Sequence, residues 1–320
     1  MDDPLIWVRA VHFGATMMVM GGVFFRAFIA EPAFRAANGA PVAALVRFRL
    51  ATMAWIVLAV TVLSGAAWLL LQCERMSELS LEEVFQQGTV WTVLSGTDFG
   101  IVWGVRFVLA ALLAAIWAWG DLSRSYHRSA AAVAVAAVLV GTLAWAGHAA
   151  ASAGLEGAIH LPADILHLVA GAAWFGALVP LVLLLRAARR IDDASAFMVA
   201  RAAVLRFSPL GIASVGTLVI TGLVNTWMLA GSVTALVDTD YGHLLLAKVA
   251  LFFVMLSFGA VNRLWLTPRV VDGSKAALTA QALRRIERNG LIEASLGTII
   301  IVIVGLLGTL PPGLQEQASG

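Results

Sequence analysis

Cysteine is all but missing from this chain: Cys73 stands alone among 320 residues. One thiol excludes an intrachain disulfide and any CxxC metal or redox motif. Charge is scarce as well, at 12% of residues, where soluble domains carry about 25%. There is no Walker loop and no HExxH zinc motif. No segment is long enough to form an extramembrane domain that hydrolyses ATP, so movement of any cargo has to draw on a gradient or a partner. No DNA-binding pattern is present, and no catalytic constellation marks the chain as an enzyme. The start, Met1-Asp2-Asp3-Pro4, lacks the positive n-region of a cleavable signal peptide, and none is expected.

What fills the chain is apolar. Hydrophobic residues make up 61%, and the mean hydropathy is +0.90. A helix needs roughly 20 apolar residues to cross a ~30 Å hydrocarbon core. The runs predict eight spans, at 5–30, 50–72, 99–120, 129–151, 163–185, 209–230, 242–266 and 290–310. Unpaired backbone groups are too costly in lipid, so each span is expected to be helical. The fold class that follows is an all-α polytopic membrane protein.

Lys and Arg then set the orientation. The connections after spans 1, 3, 5 and 7 hold sixteen basic residues, from Arg35 through Arg288. The opposite connections hold Arg75 and a set of acids: Glu74, Glu78, Glu82, Glu83, Asp98, Glu156, Asp238 and Asp240. The asymmetry predicts both termini outside, in the periplasm of a Gram-negative host. The longest connections are 73–97, expected as a periplasmic loop with a short helix within Leu79 to Leu94, and 186–206, expected as a cytoplasmic loop.

An internal repeat is visible. Thr97-Asp98-Phe99-Gly100 with Arg106 matches Thr239-Asp240-Tyr241-Gly242 with Lys248, at an offset of 142. His12 precedes Gly21 as His167 precedes Gly176, and Phe48 precedes Trp68 as Phe207 precedes Trp227. Residues 1–151 and 152–312 therefore read as two parallel four-helix halves, related by a pseudo-two-fold axis along the membrane normal. Transporters often place their sites at such repeat interfaces.

Ionisable groups inside spans are costly and mark function. Of six histidines, all but His127 gather toward the acidic side: His12, His148, His160, His167 and His243. Neutral imidazole suits copper, zinc, iron and nickel. Asp164 and His167, three residues apart, share a helical face, where Asp164 either ligates or orients a histidine. His12, His148, Asp164 and His167 are the principal candidate metal ligands. His160, His243 and Met20 are secondary ones, Met20 because thioether sulfur favours Cu(I). As repeat mates, His12 and His167 are expected to face each other across the pseudo-axis. Arg9, Arg106 and Lys248 are expected to snorkel toward headgroups or to build an outer polar vestibule with Asp98, Asp164 or Asp240. Asn225 is expected to line the same cavity. Glu293 lies near the inner end of span 8.

Taken in order, Gly147-His148-Ala149-Ala150, Asp164-x-x-His167 with Trp174-x-Gly176, Phe207-Ser208, Thr221-Gly222, Tyr241-Gly242 with Lys248, Asn262, Glu293 and Pro311-Pro312 resemble the copper resistance protein D (CopD) family. The match is clearest from 145 to 312. The resemblance implies an inner-membrane protein of bacterial copper homeostasis that carries a copper ion across the membrane beside a separate periplasmic copper-binding protein of CopC type. It carries over His148, Asp164 and His167 as copper ligands. A second reading stays open, a membrane electron carrier in which His12 and His167 ligate haem b. Gly14, Ala170 and Gly171 would leave room for its porphyrin. A third is an accessory with no ligand of its own.

Overall fold

A computed structural model describes residues 3–37, 41–120, 122–147, 154–191, 193–272 and 276–311. Among these residues there is no strand. Eight helices are long and apolar enough to cross a membrane: span 1 (Pro4–Ala36), span 2 (Val42–Ser77), span 3 (Asp98–Ala118), span 4 (Tyr126–Ala146), span 5 (Glu156–Ile191), span 6 (Ala194–Ala230), span 7 (Asp240–Asp272) and span 8 (Ala277–Leu307).

The starts of these helices are written in local chemistry. Asp3 accepts from the Leu5 amide at 2.9 Å and Pro4 fills the first helical position, which needs no amide. The repeated Thr-Asp-aromatic-Gly motif is a two-way cap. The Thr97 hydroxyl accepts from the Gly100 amide (2.9 Å) and donates to the Val93 carbonyl (2.8 Å) of the short helix before it. Thr239 does the same with the Gly242 amide (3.0 Å) and the Ala235 carbonyl (2.6 Å). Glycine is required at 100 and 242 because the preceding short helix abuts the backbone there, and a Cβ would collide with it.

Several expected boundaries shift. The segment 186–206 is not a loop: span 5 runs on to Ile191 and span 6 begins at Ala194, with Asp193 capping the Ala196 amide at 2.8 Å. Alanine makes this extension helical despite its arginines, and Ala187, Ala188, Ala196, Ala200 and Ala203 are buried against one another's helices. The segment 73–97 holds the end of span 2 and two short helices, Leu81–Gln86 and Thr89–Gly96. Ser80 and Glu83 form a capping box at the first of these. Span 4 turns from α to 3-10 geometry at Thr142–Ala146, and its expected end at 151 lies outside the described residues.

Spans 1 and 5 form the centre of the bundle and cross closely. A Cβ at Gly21 would collide with the Gly176 backbone and the Ala172 carbonyl, and one at Gly176 with Gly21 and the Met17 carbonyl. Small residues let helix backbones approach in this way. The contact is reciprocal: Met17 and Gly21 lie 155 residues before Ala172 and Gly176.

Candidate functional site: a cavity beside His167

His12 and His167 do not face each other. Each is held inside its own group of helices. His12 is buried, with its ring against Trp68 (centroids 5.6 Å) and Trp103 (5.2 Å). Its Nδ1 lies 3.0 Å from Ser64 Oγ, whose hydroxyl donates to the Val60 carbonyl at 2.6 Å. Its Nε2 meets the Arg106 guanidinium, which also donates to Thr142 Oγ1 at 2.7 Å. Arginine has only donors, so Nε2 accepts and the ring proton sits on Nδ1, donated to Ser64. Both nitrogens are spent. A neighbouring arginine thus occupies the lone pair that the expected metal or haem would need at His12. Arg106 is likewise no snorkelling side chain, being 3% exposed in the bundle.

His167 repeats the first part of this arrangement and lacks the second. Its Nδ1 lies 3.0 Å from Thr221 Oγ1, and the Thr221 hydroxyl donates to the Thr217 carbonyl at 2.6 Å. Thr221 must then accept the Nδ1 proton, which leaves the Nε2 lone pair of His167. No arginine covers it. Instead His167 lines a cavity of about 330 Å³ together with Arg9, His160, Asp164, Asn225 and Lys248. Asn225 Nδ2 donates to Asp164 Oδ1 at 3.1 Å, and Asn225 Oδ1 is buried without a partner. Arg9 is 7% exposed, stacks over Trp68 at 4.5 Å and leaves its Nε unpartnered. The rest of the wall is apolar, including Trp174, Leu218, Phe252 and Ile300.

The sequence-derived candidates therefore separate. Asp164, His167 and His160 come together around the cavity, and Asn225 joins them as expected. His243 does not: it is exposed and its Nε2 donates to the Val237 carbonyl at 2.8 Å. Met20 is 3% exposed in the core and is not part of the wall, whereas Met17, one turn earlier, is. His148 lies outside the described residues. Among the described residues, no three of His, Cys, Asp and Glu converge as a closed metal cage. Thr221 and Gly222 were not singled out as site residues, and Lys248 only as a snorkelling or vestibule cation. Thr221 and Gly222 were quoted as one motif, and their spacing from His167 matches that of Ser64 and Gly65 from His12 to within two residues. A Cβ at either glycine would touch the corresponding imidazole.

Comparison with known proteins agrees with this architecture. The family described as "Copper resistance protein D-like, N-terminal domain" matches residues 1–158, and "Copper resistance protein D" matches residues 201–307. The chain is 28% identical over 328 residues to a copper resistance protein D of Pseudomonas syringae pv. tomato, covering 98% of this chain and 99% of that protein. It is 27% identical over 310 residues to the inner membrane protein YebZ of Escherichia coli, covering 96% and 98%. It is 29% identical over 230 residues to the copper transport protein CutJ of Bacillus subtilis, covering 71% of this chain and 39% of that protein. No solved structure is significantly similar. With eight apolar spans and matches to both family regions, the chain is a multi-pass inner-membrane protein and belongs to the copper resistance protein D family.

Proposed function

We propose that the protein moves copper across the inner membrane, taking the ion at the acidic end of the bundle on His167 and Asp164. The observation that carries this reading is the fixed tautomer of His167. Thr221 holds the Nδ1 proton, so Nε2 presents a lone pair at the cavity, the form in which histidine ligates metal. Asp164, steadied by Asn225, supplies oxygen one turn away. His160 lines the same cavity, and His148 lies in the segment just before span 5. A site of few ligands suits conduction, which needs binding weak enough to release. The basic ends of the spans face the cytoplasm, both termini face outward, and a periplasmic copper-binding protein of CopC type delivers the ion. The two halves are copies of one four-helix unit, of which only the second keeps a free imidazole.

The test is copper per chain, by elemental mass spectrometry, in protein purified from copper-supplemented cells. About one copper is expected in the parent and in His12→Ala, and a loss of most of it in His167→Ala. Copper retained in His167→Ala, with the protein folded, would overturn the assignment of the site.

A further inference from the structure

The cavity is too large and too apolar to serve a bare ion alone. Its polar groups lie at one end, and beyond them the wall is Leu218, Val249, Phe252, Phe253 and Ile300. Along Asp240–Val261 span 7 makes little contact with span 6, and the two are joined at the basic end, where Arg201 donates to the Val270 and Val271 carbonyls. The wall residues at their gap, Leu223 and Phe253, are 69% and 58% exposed, so the cavity opens sideways into the hydrocarbon of the bilayer.

The first half shows what the same place looks like when filled. Ser64 and Gly65 lie 157 residues before Thr221 and Gly222, and on that register Trp68 corresponds to Asn225; the Trp227 that the longer Phe–Trp spacing matched to Trp68 is 69% exposed and is not part of the cavity wall. At the offset of 142 that relates Arg106 to Lys248, Trp103 corresponds to Leu245. Contacts follow the same register: Arg9 stacks on Trp68, and their counterparts Asp164 and Asn225 are hydrogen-bonded. In the first half two indoles close on the imidazole, and the space left beside His12 is about 10 Å³. In the second half both indoles are gone and about 330 Å³ is open. The volume beside His167 is thus one that flat conjugated rings occupy in its counterpart. The polar end also holds donors in search of acceptors. Arg9 Nε is buried with none, and Lys248 lines the same cavity with Asp164 as its charged neighbour.

We infer that this cavity binds a membrane-soluble prenylated quinone. Its ring takes the place of the first half's indoles beside His167, its ring oxygens accept from Lys248 and Arg9, and its prenyl tail leaves between spans 6 and 7. A phospholipid would satisfy the side opening and the cations but has no flat ring. No electron transfer is assigned to the bound ring. The inference stands apart from the copper reading, and metal-free protein tests it.

Quinone extracted from the purified full-length protein is counted by chromatography and mass spectrometry, and calorimetric titration with a short-chain ubiquinone follows on delipidated, metal-free protein. The parent is expected to carry and rebind about one quinone per chain. Leu245→Trp, which restores the indole of the first half, is expected to weaken binding at least about tenfold. Lys248→Met removes a donor without filling the space, is expected to weaken it as well, and decides the matter if Leu245→Trp does not fold. A parent that binds no quinone, phospholipid alone in the extract, a haem Soret band, or unchanged affinity in the folded variants would each overturn the inference.

Discussion

Two histidines that look equivalent along the chain have opposite fates, and the difference is one cation. Arg106 caps the lone pair of His12, and its counterpart Lys248 leaves that of His167 open. Removing Arg106 strands a buried imidazole nitrogen and takes from Thr142 Oγ1, which still donates to the Leu139 carbonyl, the bond it accepts. Arg106→Leu is therefore expected to cost about 2–4 kcal/mol of stability, read as a lower midpoint of thermal unfolding in detergent, with copper content unchanged. His12→Ala is expected to behave the same way, whereas His167→Ala is expected to lose copper at little cost in stability. None of this was legible in the sequence around His12. Its partners are 52 and 94 residues away, and helix periodicity carries no information about contacts between spans. What was legible was that Asp164 and His167 share one helical face, because that follows from spacing on a single helix, and both line the cavity. A smaller case lies outside the bilayer. Burial pushes the Asp3 carboxyl up, but hydrogen bonds from Arg75 and the Leu5 amide outweigh it and hold it below the usual carboxylate range. A carboxyl lowered on folding contributes stability that is present above its unfolded value, near pH 4, and is lost as pH falls through the folded value. Asp3→Asn should thus be less stable than the parent at pH 7, and the gap should close as the pH falls through the lowered folded value.

The helices themselves were easier to foresee than their ends. Apolar runs and the repeated Thr-Asp-aromatic-Gly cap announce the spans, because burial in lipid and end-capping act within a few residues. The lengths were underestimated wherever a helix runs on past the membrane. The alanine-rich stretch around Asp193 carries too many arginines to read as a span, yet it packs one face against its neighbours and stays helical. The crossing of spans 1 and 5 was visible only as two glycines at matching positions, and its closeness came from the fold. A methyl group at Gly21 or Gly176 would sit inside the opposing backbone, and neither helix can yield without disturbing the core on its far side. Gly21→Ala is expected to cost about 1–3 kcal/mol or more, and Gly21→Leu to abolish folded protein, as judged by size-exclusion profile. Loss of either two-way cap should be milder. Thr97→Ala and Thr239→Ala should each cost about 1 kcal/mol, and a larger effect would mean that the short helix before the span is released as well.

Charge divides the bundle into two unlike ends, and that division carries the orientation. At the basic end the arginines are partly tied down. Glu31 is 4% exposed and accepts a forked pair of bonds from Arg47 at 2.9 and 2.7 Å, and Glu287 takes Arg186 at 2.8 Å. These pairs hold the ends of spans 1 and 2, and of spans 5 and 8, together. Among the described residues, Arg190, Arg263, Arg269 and Arg284 make no ion pair, and the expected cytoplasmic placement of this end rests on such basic residues. The cavity's polar residues, Arg9, His160, Asp164, His167, Asn225 and Lys248, lie toward the other end. If copper is taken from the periplasm, that end must face outward, and the two statements stand or fall together. The single buried Cys73 makes the test clean. In a Cys73→Ala background, cysteine placed at the exposed positions Gln86 or Arg190 reports one end each. A membrane-impermeant maleimide applied to intact cells stripped of their outer membrane is expected to label Gln86→Cys at once and Arg190→Cys only after lysis. The reverse pattern would put the cavity on the cytoplasmic side. His167 would then receive copper from within, and the protein would have to be read as an exporter.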